Sequence, residues 1–361
     1  MTSIQSLTYT ESGAFEWRER AAPTLKGPSE ALVRPVAASI CDIDRPLIEG
    51  RSPWRGPFAF GHEAVAEVLE VGDNVTACEP GSLVAVAWHI SCGSCARCRR
   101  GLTAYCTSVP PGAMFGLPAA GQWGGLFDDV VRVPFADAML TVVPDDIDLL
   151  DAVSAGDNLS LGYGTVRAHL DRGARRFLVL GSGAVGITHV AFATALADAE
   201  VVYIDADPDR RDVARKLGAE VHEGPPDRAM GRFDVVVDAG FDPAWLRRSL
   251  RMVEPDGVVE CLGGYFEDVA VPMFAMYVEG ATLRCGRANN GPNIAPTLAA
   301  LARGVVSPAS WSQPVDWDDA PRAVADPSLK PVALRARSKI AERGLRFSSR
   351  VDPLPWVQGQ A

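Results

Sequence analysis

The segment Leu178-Val-Leu-Gly181-Ser-Gly183-Ala-Val-Gly186 decides the fold, because its three glycines, spaced G-x-G-x-x-G, follow an apolar strand and open a long helical pattern. Glycines so placed permit a tight turn, close approach of a diphosphate and close packing of the helix on the strand. The helix N-terminus supplies amide donors and a favourable dipole to an anion. The segment therefore predicts a dinucleotide-binding unit.

The pattern around this segment alternates between strands and helices up to about residue 285. Such alternation predicts a doubly wound parallel sheet with crossover helices. The predicted elements are strands at 176–180, 200–204, 233–237 and 257–262, and helices at 184–197, 208–217 and 243–253.

The preceding part of the chain has short β-branched runs separated by Gly and Pro, which predicts a β-rich domain with long loops. The stretch from Trp317 to Leu334 is predicted to return to that domain. We expect a β-rich domain over 1–157, completed by 290–361, and a Rossmann NAD-binding domain over 158–289. The polar segment beyond about residue 340 is not assigned.

Asp205 ends the second predicted strand, about 20 residues beyond the glycines, where a carboxylate can accept hydrogen bonds from both ribose hydroxyls. Its charge would repel a 2'-phosphate, which favours NAD over NADP. Asp205 could instead cap the next helix, although Asp207 is better placed for that role. The predicted cofactor contacts are Gly181, Gly183, Ala184, Val185, Gly186, Asp205 and Arg210.

Four of the eight cysteines lie close together in a short lobe with the spacing C-x2-C-x2-C-x7-C. Four thiolates complete a tetrahedral zinc site with no open position, so this site would be structural rather than catalytic. The alternative is four unrelated thiols or disulfides. The four residues are Cys92, Cys95, Cys98 and Cys106.

Composition narrows the partners. The 361 residues carry a formal charge of -10, which disfavours nucleic acid and anionic membranes and favours a small-molecule substrate. The N-terminus shows no secretory signal and no apolar run of about 18 residues occurs, so we expect a cytoplasmic protein without a membrane span.

Cys41 and the triplet Gly61-His62-Glu63 precede the cysteine lobe and the glycine motif. In this order the four features resemble the zinc-containing medium-chain alcohol dehydrogenases over nearly the whole chain. The resemblance implies a GroES-like catalytic domain, a Rossmann domain, NAD, two zinc ions per chain and a homodimer or homotetramer. The second zinc would bind the substrate oxygen in the cleft between the domains.

The resemblance also implies residue roles at that cleft. Cys41, His62 and Asp157 match the zinc ligands, although Asp157 could be a simple acidic loop residue. Glu63 matches an occasional ligand or a carboxylate behind the ligands. Asp44 matches the acid that holds the other ring nitrogen of the histidine.

Three positions depart from the family pattern. Ile43 stands where a Ser or Thr hydroxyl usually passes the substrate proton outward, so the proton must leave through water or a titratable group. His89 and Asp42 are the candidates near in sequence, and His89 could equally be a structural histidine. Asp42 stands where some relatives have a basic residue near the diphosphate. Leu161 replaces a hydroxyl near the nicotinamide, so the cofactor contacts must differ in detail.

Aromatic residues supply the predicted walls of the substrate pocket. Trp88 matches the family's aromatic wall, and Trp54 and Trp123 are added to it, although aromatic residues are more often plain core. Phe58 and Phe115 are further candidates for this wall. Cys78, Cys261 and Cys285 are interpreted as buried thiols.

Three functions follow from these residues. The first is a zinc-dependent dehydrogenase that transfers a hydride between an alcohol, or its aldehyde or ketone, and NAD. The second, suggested by Asp157, is a formaldehyde-type dehydrogenase or aldehyde dismutase with tightly held NAD. The third, suggested by Ile43, is a zinc- and nucleotide-binding protein without turnover.

Overall fold

A six-stranded parallel sheet forms around the glycine motif in the computed structural model, which describes residues 3–118, 120–197 and 199–335. The strand order is β11-β10-β9-β12-β13-β14. The chain moves outward from β9 to one edge and then returns to the other side of β9, which is typical of Rossmann folds. The predicted doubly wound parallel sheet is confirmed. Its elements are α5 (Asn158–Leu170), β9 (Arg176–Leu180), α6 (Gly183–Ala197), β10 (Glu200–Ile204), α7 (Pro208–Lys216), β11 (Glu220–His222), β12 (Phe233–Asp238), α8 (Pro243–Ser249), β13 (Val253–Cys261), α9 (Met273–Glu279) and β14 (Thr282–Cys285).

The described residues up to 157 form a sheet of three strands in the order β2-β1-β4, and they supply five strands of a seven-stranded sheet built on β3 and β5, whose other two strands come from the end of the described chain. The strands are β1 (Ser3–Tyr9), β2 (Phe15–Ala21), β3 (Ala31–Ser39), β4 (Phe58–Ala59), β5 (Glu63–Val71), β6 (Leu83–Val86), β7 (Val131–Val133) and β8 (Leu140–Val142). The helices are short: α1 (Arg45–Ile48), α2 (Ala96–Arg99), α3 (Ala136–Met139) and α4 (Leu149–Ala152).

The last described part of the chain returns to the seven-stranded sheet. It contains α10 (Gly291–Ala302), β15 (Gln313–Asp316), α11 (Ala320–Ala325) and β16 (Pro331–Leu334). β16 pairs antiparallel with β3 and opposes Val332 to Ser39. We therefore propose the division into 1–157 with 290–361 and 158–289. Residues 336–361 lie outside the described residues, and they include the whole segment beyond about residue 340 that the sequence left unassigned.

The central strands of the parallel sheet are buried on both faces, so they are almost continuously apolar. Along β9, Phe177 and Val179 pack into the large cluster that is shared with the first part of the chain. Leu178 and Leu180 point the other way, into a second cluster beneath α8. The two halves of the chain therefore share a core as well as a cleft.

One predicted boundary is wrong. The helix expected over 243–253 ends at Ser249, and the strand expected at 257 begins at Val253. The sequence Glu254-Pro-Asp-Gly suggests a turn, but here it forms an irregular strand. Asp256 adopts a φ of 64°, and the pairing register with β12 shifts at this point. Across the described residues, we find no helix with the length and apolarity to span a membrane.

Candidate functional site

The glycine motif turns the chain sharply between β9 and α6. Gly183 has a φ of 56°, and a Cβ atom there would lie 1.9 Å from the Oδ1 atom of Asp42. Asp42 accepts hydrogen bonds from the amides of Ala184 at 3.3 Å and Val185 at 2.7 Å. The first amides of α6 therefore face an anion, as the motif predicts, but this anion is a side chain of the protein.

Asp205 follows the last residue of β10 and lies beside the glycine turn. Its Oδ2 atom is 3.6 Å from the Cβ position of Gly181. Arg210 binds its carboxylate through two nitrogens, both at 2.8 Å. Burial would raise the pKa of Asp205, but the hydrogen bonds from Arg210 and its neighbours lower it. Asp207, and not Asp205, accepts the capping hydrogen bonds from Asp209 and Arg210 at the start of α7.

The Asp205 carboxylate is also fully hydrogen-bonded. Oδ2 accepts from the Tyr203 hydroxyl at 2.7 Å, and Oδ1 accepts from the Asp207 amide at 2.9 Å. Together with the two Arg210 contacts, these use the roughly four acceptor positions of a carboxylate. A ribose hydroxyl can therefore bind Asp205 only if one of these donors gives way.

Three separate segments bring Cys41, His62 and Asp157 together. Cys41 follows β3, His62 precedes β5, and Asp157 lies at the head of α5. The side-chain ligand atoms of all three residues lie within 4.8 Å of one another, and all three residues are buried. Gly156 allows this approach, because a Cβ atom there would lie 1.9 Å from the Val86 carbonyl oxygen.

Four polar atoms in and beside this cluster face one another without hydrogen bonds. His62 Nε2 lies 3.6 Å from Asp157 Oδ2, and His62 Nδ1 lies 3.7 Å from Asp44 Oδ1. None of these atoms has a hydrogen-bond partner among the described residues. Because buried polar atoms are normally hydrogen-bonded or bound to an ion, this arrangement fits a metal site.

The local charge agrees with a cation at this position. Burial, together with the charges of Asp157 and Glu63, raises the pKa of the Cys41 thiol well above its usual value. Burial would lower the pKa of His62, but Asp44 and Asp157 raise it to about 9. The cluster therefore favours bound protons in the absence of an ion, and a divalent cation would replace them.

The four cysteines of the lobe also converge. The sulfurs of Cys92, Cys95, Cys98 and Cys106 lie within 4.8 Å of one another, and none of the four forms a disulfide. The amides of Cys95 and Cys98 donate to the sulfurs of Cys92 and Cys95 at 3.3 and 3.4 Å. Hydrogen bonds from Thr107 and Cys98 lower the pKa of Cys95 to about 5, which favours the thiolate that zinc requires.

A cleft of about 940 Å³ lies between the cluster of Cys41, His62 and Asp157 and the N-terminus of α6. Its walls include Cys41 and Asp157 from the ligand cluster, together with Val185 of α6 and Ala239. The predicted wall residues Trp54 and Trp88 line it. Trp54 meets Phe266 edge to face across the cleft, with ring centroids 5.9 Å apart.

Known proteins are similar to this chain in sequence and in fold. The alcohol dehydrogenase GroES-like domain matches residues 27–145. A protein named "Probable zinc-binding alcohol dehydrogenase" from Mycobacterium tuberculosis is 31% identical over 306 residues, which cover 82% of this chain and 78% of that protein. The chain belongs to the zinc-binding alcohol dehydrogenases.

Two further comparisons place it within this family. A glutathione-independent formaldehyde dehydrogenase from Pseudomonas aeruginosa is 30% identical over 235 residues, 61% of this chain and 59% of that protein. The solved alcohol dehydrogenase from Thermus sp. ATN1 superposes with a TM-score of 0.82 at 30% identity, over 92% of this chain and all of that chain. The predicted family and its GroES-like domain are confirmed.

Glu63 lies outside the ligand cluster of this dehydrogenase, against the prediction that it could bind the metal. Its carboxylate accepts hydrogen bonds from Lys330 and, at 3.0 Å, from Ser154. Lys330 also donates to the Ile40 carbonyl at 2.6 Å. Burial raises the pKa of Glu63 to about 7 even though the Lys330 charge opposes the shift. The carboxylate is therefore engaged by a buried cation of the protein itself.

The prediction that His89 titrates beside the substrate is wrong. His89 is buried and is absent from the described lining of the cleft. Burial and the neighbouring Arg287 charge hold its pKa well below the usual value, so its ring stays neutral near neutral pH. Its ring lies against Trp88, with ring centroids 3.8 Å apart and ring planes tilted by 51°.

Other predictions also fail. Trp123 is not among the described cleft-lining residues, and its indole donates to the Ala120 carbonyl at 3.1 Å. Phe58 and Phe115 belong to the core. Of the three cysteines expected to be buried, only Cys261 is; Cys78 is half-buried and Cys285 is exposed.

Two residues that were not predicted from the sequence also hold the ligand cluster. Asn290 donates to the Asp157 carbonyl at 2.5 Å and to the Ser160 hydroxyl at 3.0 Å. Asn158 accepts from the Cys41 thiol at 3.1 Å. An asparagine before a helix suggests only a cap, so neither role had a signal in the sequence.

Lys330→Met should destabilise the protein by about 3–5 kcal/mol, because it leaves the Glu63 carboxylate buried without its cation. The double variant Glu63→Gln/Lys330→Met should recover part of that loss. Urea unfolding midpoints provide the measurement. Glu49→Gln, which breaks the exposed pair with Arg51, is the control and should cost at most about 1 kcal/mol. A Lys330→Met midpoint equal to that of Glu49→Gln would contradict this account.

Proposed function

We propose that this protein is a zinc-dependent, NAD-linked dehydrogenase that interconverts an alcohol and its aldehyde or ketone. The observation that carries the proposal is the convergence of Cys41, His62 and Asp157 in a cleft that also reaches the N-terminus of α6. Its relatives are named dehydrogenases, which supports oxidoreductase chemistry.

Cys41, His62 and Asp157 would hold one zinc ion, and the four cysteines of the lobe would hold a second. A thiolate and a carboxylate neutralise a divalent cation, and three protein ligands leave a position for the substrate oxygen. Zinc bound there supplies Lewis acidity that makes an alcohol hydroxyl easier to deprotonate, and NAD supplies the hydride acceptor. Asp44 would orient the His62 ring by facing its Nδ1 atom.

The cleft selects against small polar substrates. Ile43, Leu161 and Met114 line it together with the two tryptophans, so apolar surface surrounds the ligand cluster. Burial of an aromatic or long aliphatic group against such walls contributes about 25 cal/mol per Å². We therefore propose a hydrophobic alcohol as the substrate.

The proton released on oxidation needs a route that avoids both Ile43 and His89. The isoleucine has no polar atom, and the histidine is buried and neutral. No histidine is present in the described lining of the cleft. We propose that water in the cleft takes the proton directly.

A formaldehyde-type dehydrogenase or dismutase remains the second candidate, because a relative of that name is 30% identical to the chain. Such an enzyme with tightly held NAD would turn over an aldehyde without added cofactor. The size and apolarity of the cleft favour the first proposal over this one.

We propose further that the protein forms a homodimer, or a homotetramer built from it, through α9 and β14. Four of the seven exposed large apolar residues in the described ranges lie on α9: Met273, Phe274, Tyr277 and Val278. β14 is the neighbouring edge strand, and its unpaired edge could pair with a second copy. We also propose a cytoplasmic location.

A panel of aliphatic and aromatic alcohols with NAD, followed by NADH absorbance, tests the function. Wild type should oxidise hydrophobic alcohols best. Asp157→Ala should lose one of two zinc ions and at least about 100-fold in rate, because two ligands hold the metal poorly. Asp171→Ala, at the exposed far end of α5, is the matched control. Full activity of Asp157→Ala would contradict the ligand assignment.

The cofactor preference should be NAD over NADP and should depend on Asp205 and Arg210 together. Asp205→Ser removes a negative charge and frees the Arg210 guanidinium, so kcat/KM with NADP should rise roughly tenfold to hundredfold. Asp205→Ser/Arg210→Ser should lose that gain. A wild-type enzyme that prefers NADP would overturn the proposal.

The assembly is tested by light scattering during size-exclusion chromatography. Wild type should elute as a dimer or tetramer, and Phe274→Glu/Tyr277→Lys should elute as a folded monomer because charge cannot be buried at the interface. A wild-type monomer at micromolar concentration would contradict the proposed interface.

A further inference from the structure

The N-terminus of α6 already has an anionic occupant in this protein. Asp42 is 2% exposed, and its carboxylate lies against the Ala184 and Val185 amides. The 1.9 Å approach to the Cβ position of Gly183 means that any residue larger than glycine would exclude the carboxylate. The second glycine of the motif therefore makes room for a side chain of the same chain.

Asp42 reaches this position from the catalytic part of the molecule. It lies in the turn that follows Cys41, and its Oδ1 atom also accepts from Arg45 Nε at 3.1 Å. Arg45 in turn donates to the Ser328 carbonyl at 3.3 Å. The carboxylate thus links the turn after β3 to the helix that would bind the dinucleotide.

Two anions cannot share these amides. A helix N-terminus with a glycine-rich turn binds a diphosphate through its free amides and its dipole. Asp42 uses the same donors, and its charge would repel a diphosphate placed beside it. Arg45 provides a cationic partner for the carboxylate after it leaves the helix.

We propose that Asp42 is an internal competitor of the NAD diphosphate, and that each cofactor must displace it from α6 in order to bind. The inference rests on the proposed function, because it assumes a dinucleotide at this helix. The displacement lowers the affinity for NAD and NADH and accelerates the release of NADH. Asp42 therefore sets cofactor affinity without contacting the reacting atoms, and an exchangeable cofactor follows from it.

Direct binding of NADH, followed by its fluorescence, tests this role. Asp42→Asn keeps the shape of the side chain and removes its charge, so it should tighten NADH about tenfold. The control Glu49→Gln removes an exposed charge that has no contact with α6, and it should leave affinity unchanged. Asp42→Ser serves as a second variant if the asparagine protein does not fold.

Three further readouts test this role, and the comparison of ligands and the kinetic constants separate it from a purely structural one. ADP-ribose, which carries the diphosphate, should gain the same factor in Asp42→Asn, whereas adenosine, which lacks it, should gain none. Without ligand the variant should melt at a lower temperature than wild type, because α6 loses a charged hydrogen-bond acceptor. Under saturating alcohol, both KM for NAD and kcat should fall if NADH release limits turnover.

The outcomes distinguish the two proposals. NADH binding by wild type with no gain in either Asp42 variant would overturn the role of Asp42 and leave the dehydrogenase assignment intact. Absence of NADH binding in every protein would overturn the assignment itself and this inference with it. A wild-type NADH complex in which Asp42 still accepts from the Val185 amide would also refute displacement.

Discussion

Buried negative charge at the head of α5 is the constraint on which the rest of the structure depends. Cys41, Asp157 and Asp44 lie around one imidazole, and Lys330 is the one buried lysine of the described residues. Lys330 is already engaged by Glu63. Acidic side chains that are buried this close together need compensating positive charge, either as bound protons or as a metal ion.

This requirement ties distant segments of the chain together. β3, β5 and α5 each deliver one ligand, and β16 returns from the end of the described chain to place Lys330 behind them. Because α5 also packs on α6, the ligand cluster and the glycine turn are held next to the same cleft. The proposed hydride transfer would need this fixed relation between substrate and cofactor positions.

The nucleotide half of the cleft follows a related rule. Both of its binding groups are engaged by the protein itself: the α6 amides by Asp42, and the Asp205 carboxylate by Arg210. If the proposed cofactor binds here, these contacts must be exchanged for contacts with it. They favour a dinucleotide that exchanges with solution over one that stays bound.

The sequence could predict features whose partners are close in the chain. The glycine turn, the cysteine lobe and the alternation of strands and helices are local, and spacing alone specifies them. The partner of Glu63 lies 267 residues away, so no spacing rule reveals the pair. His89 looked like a titrating group because its type suggests one, and only its burial beside Trp88 shows otherwise. Asp42 was recognised as unusual, but its position on α6 depends on how the two halves meet.

We expect a metal ion to balance the buried charge of Cys41, His62 and Asp157. Anomalous X-ray diffraction at the zinc absorption edge, from crystals of the purified protein, tests it most directly. We expect two peaks per chain, one among the four cysteines and one between Cys41, His62 and Asp157. A single peak in the cysteine lobe, with none between these three side chains in zinc-replete crystals, would contradict the account.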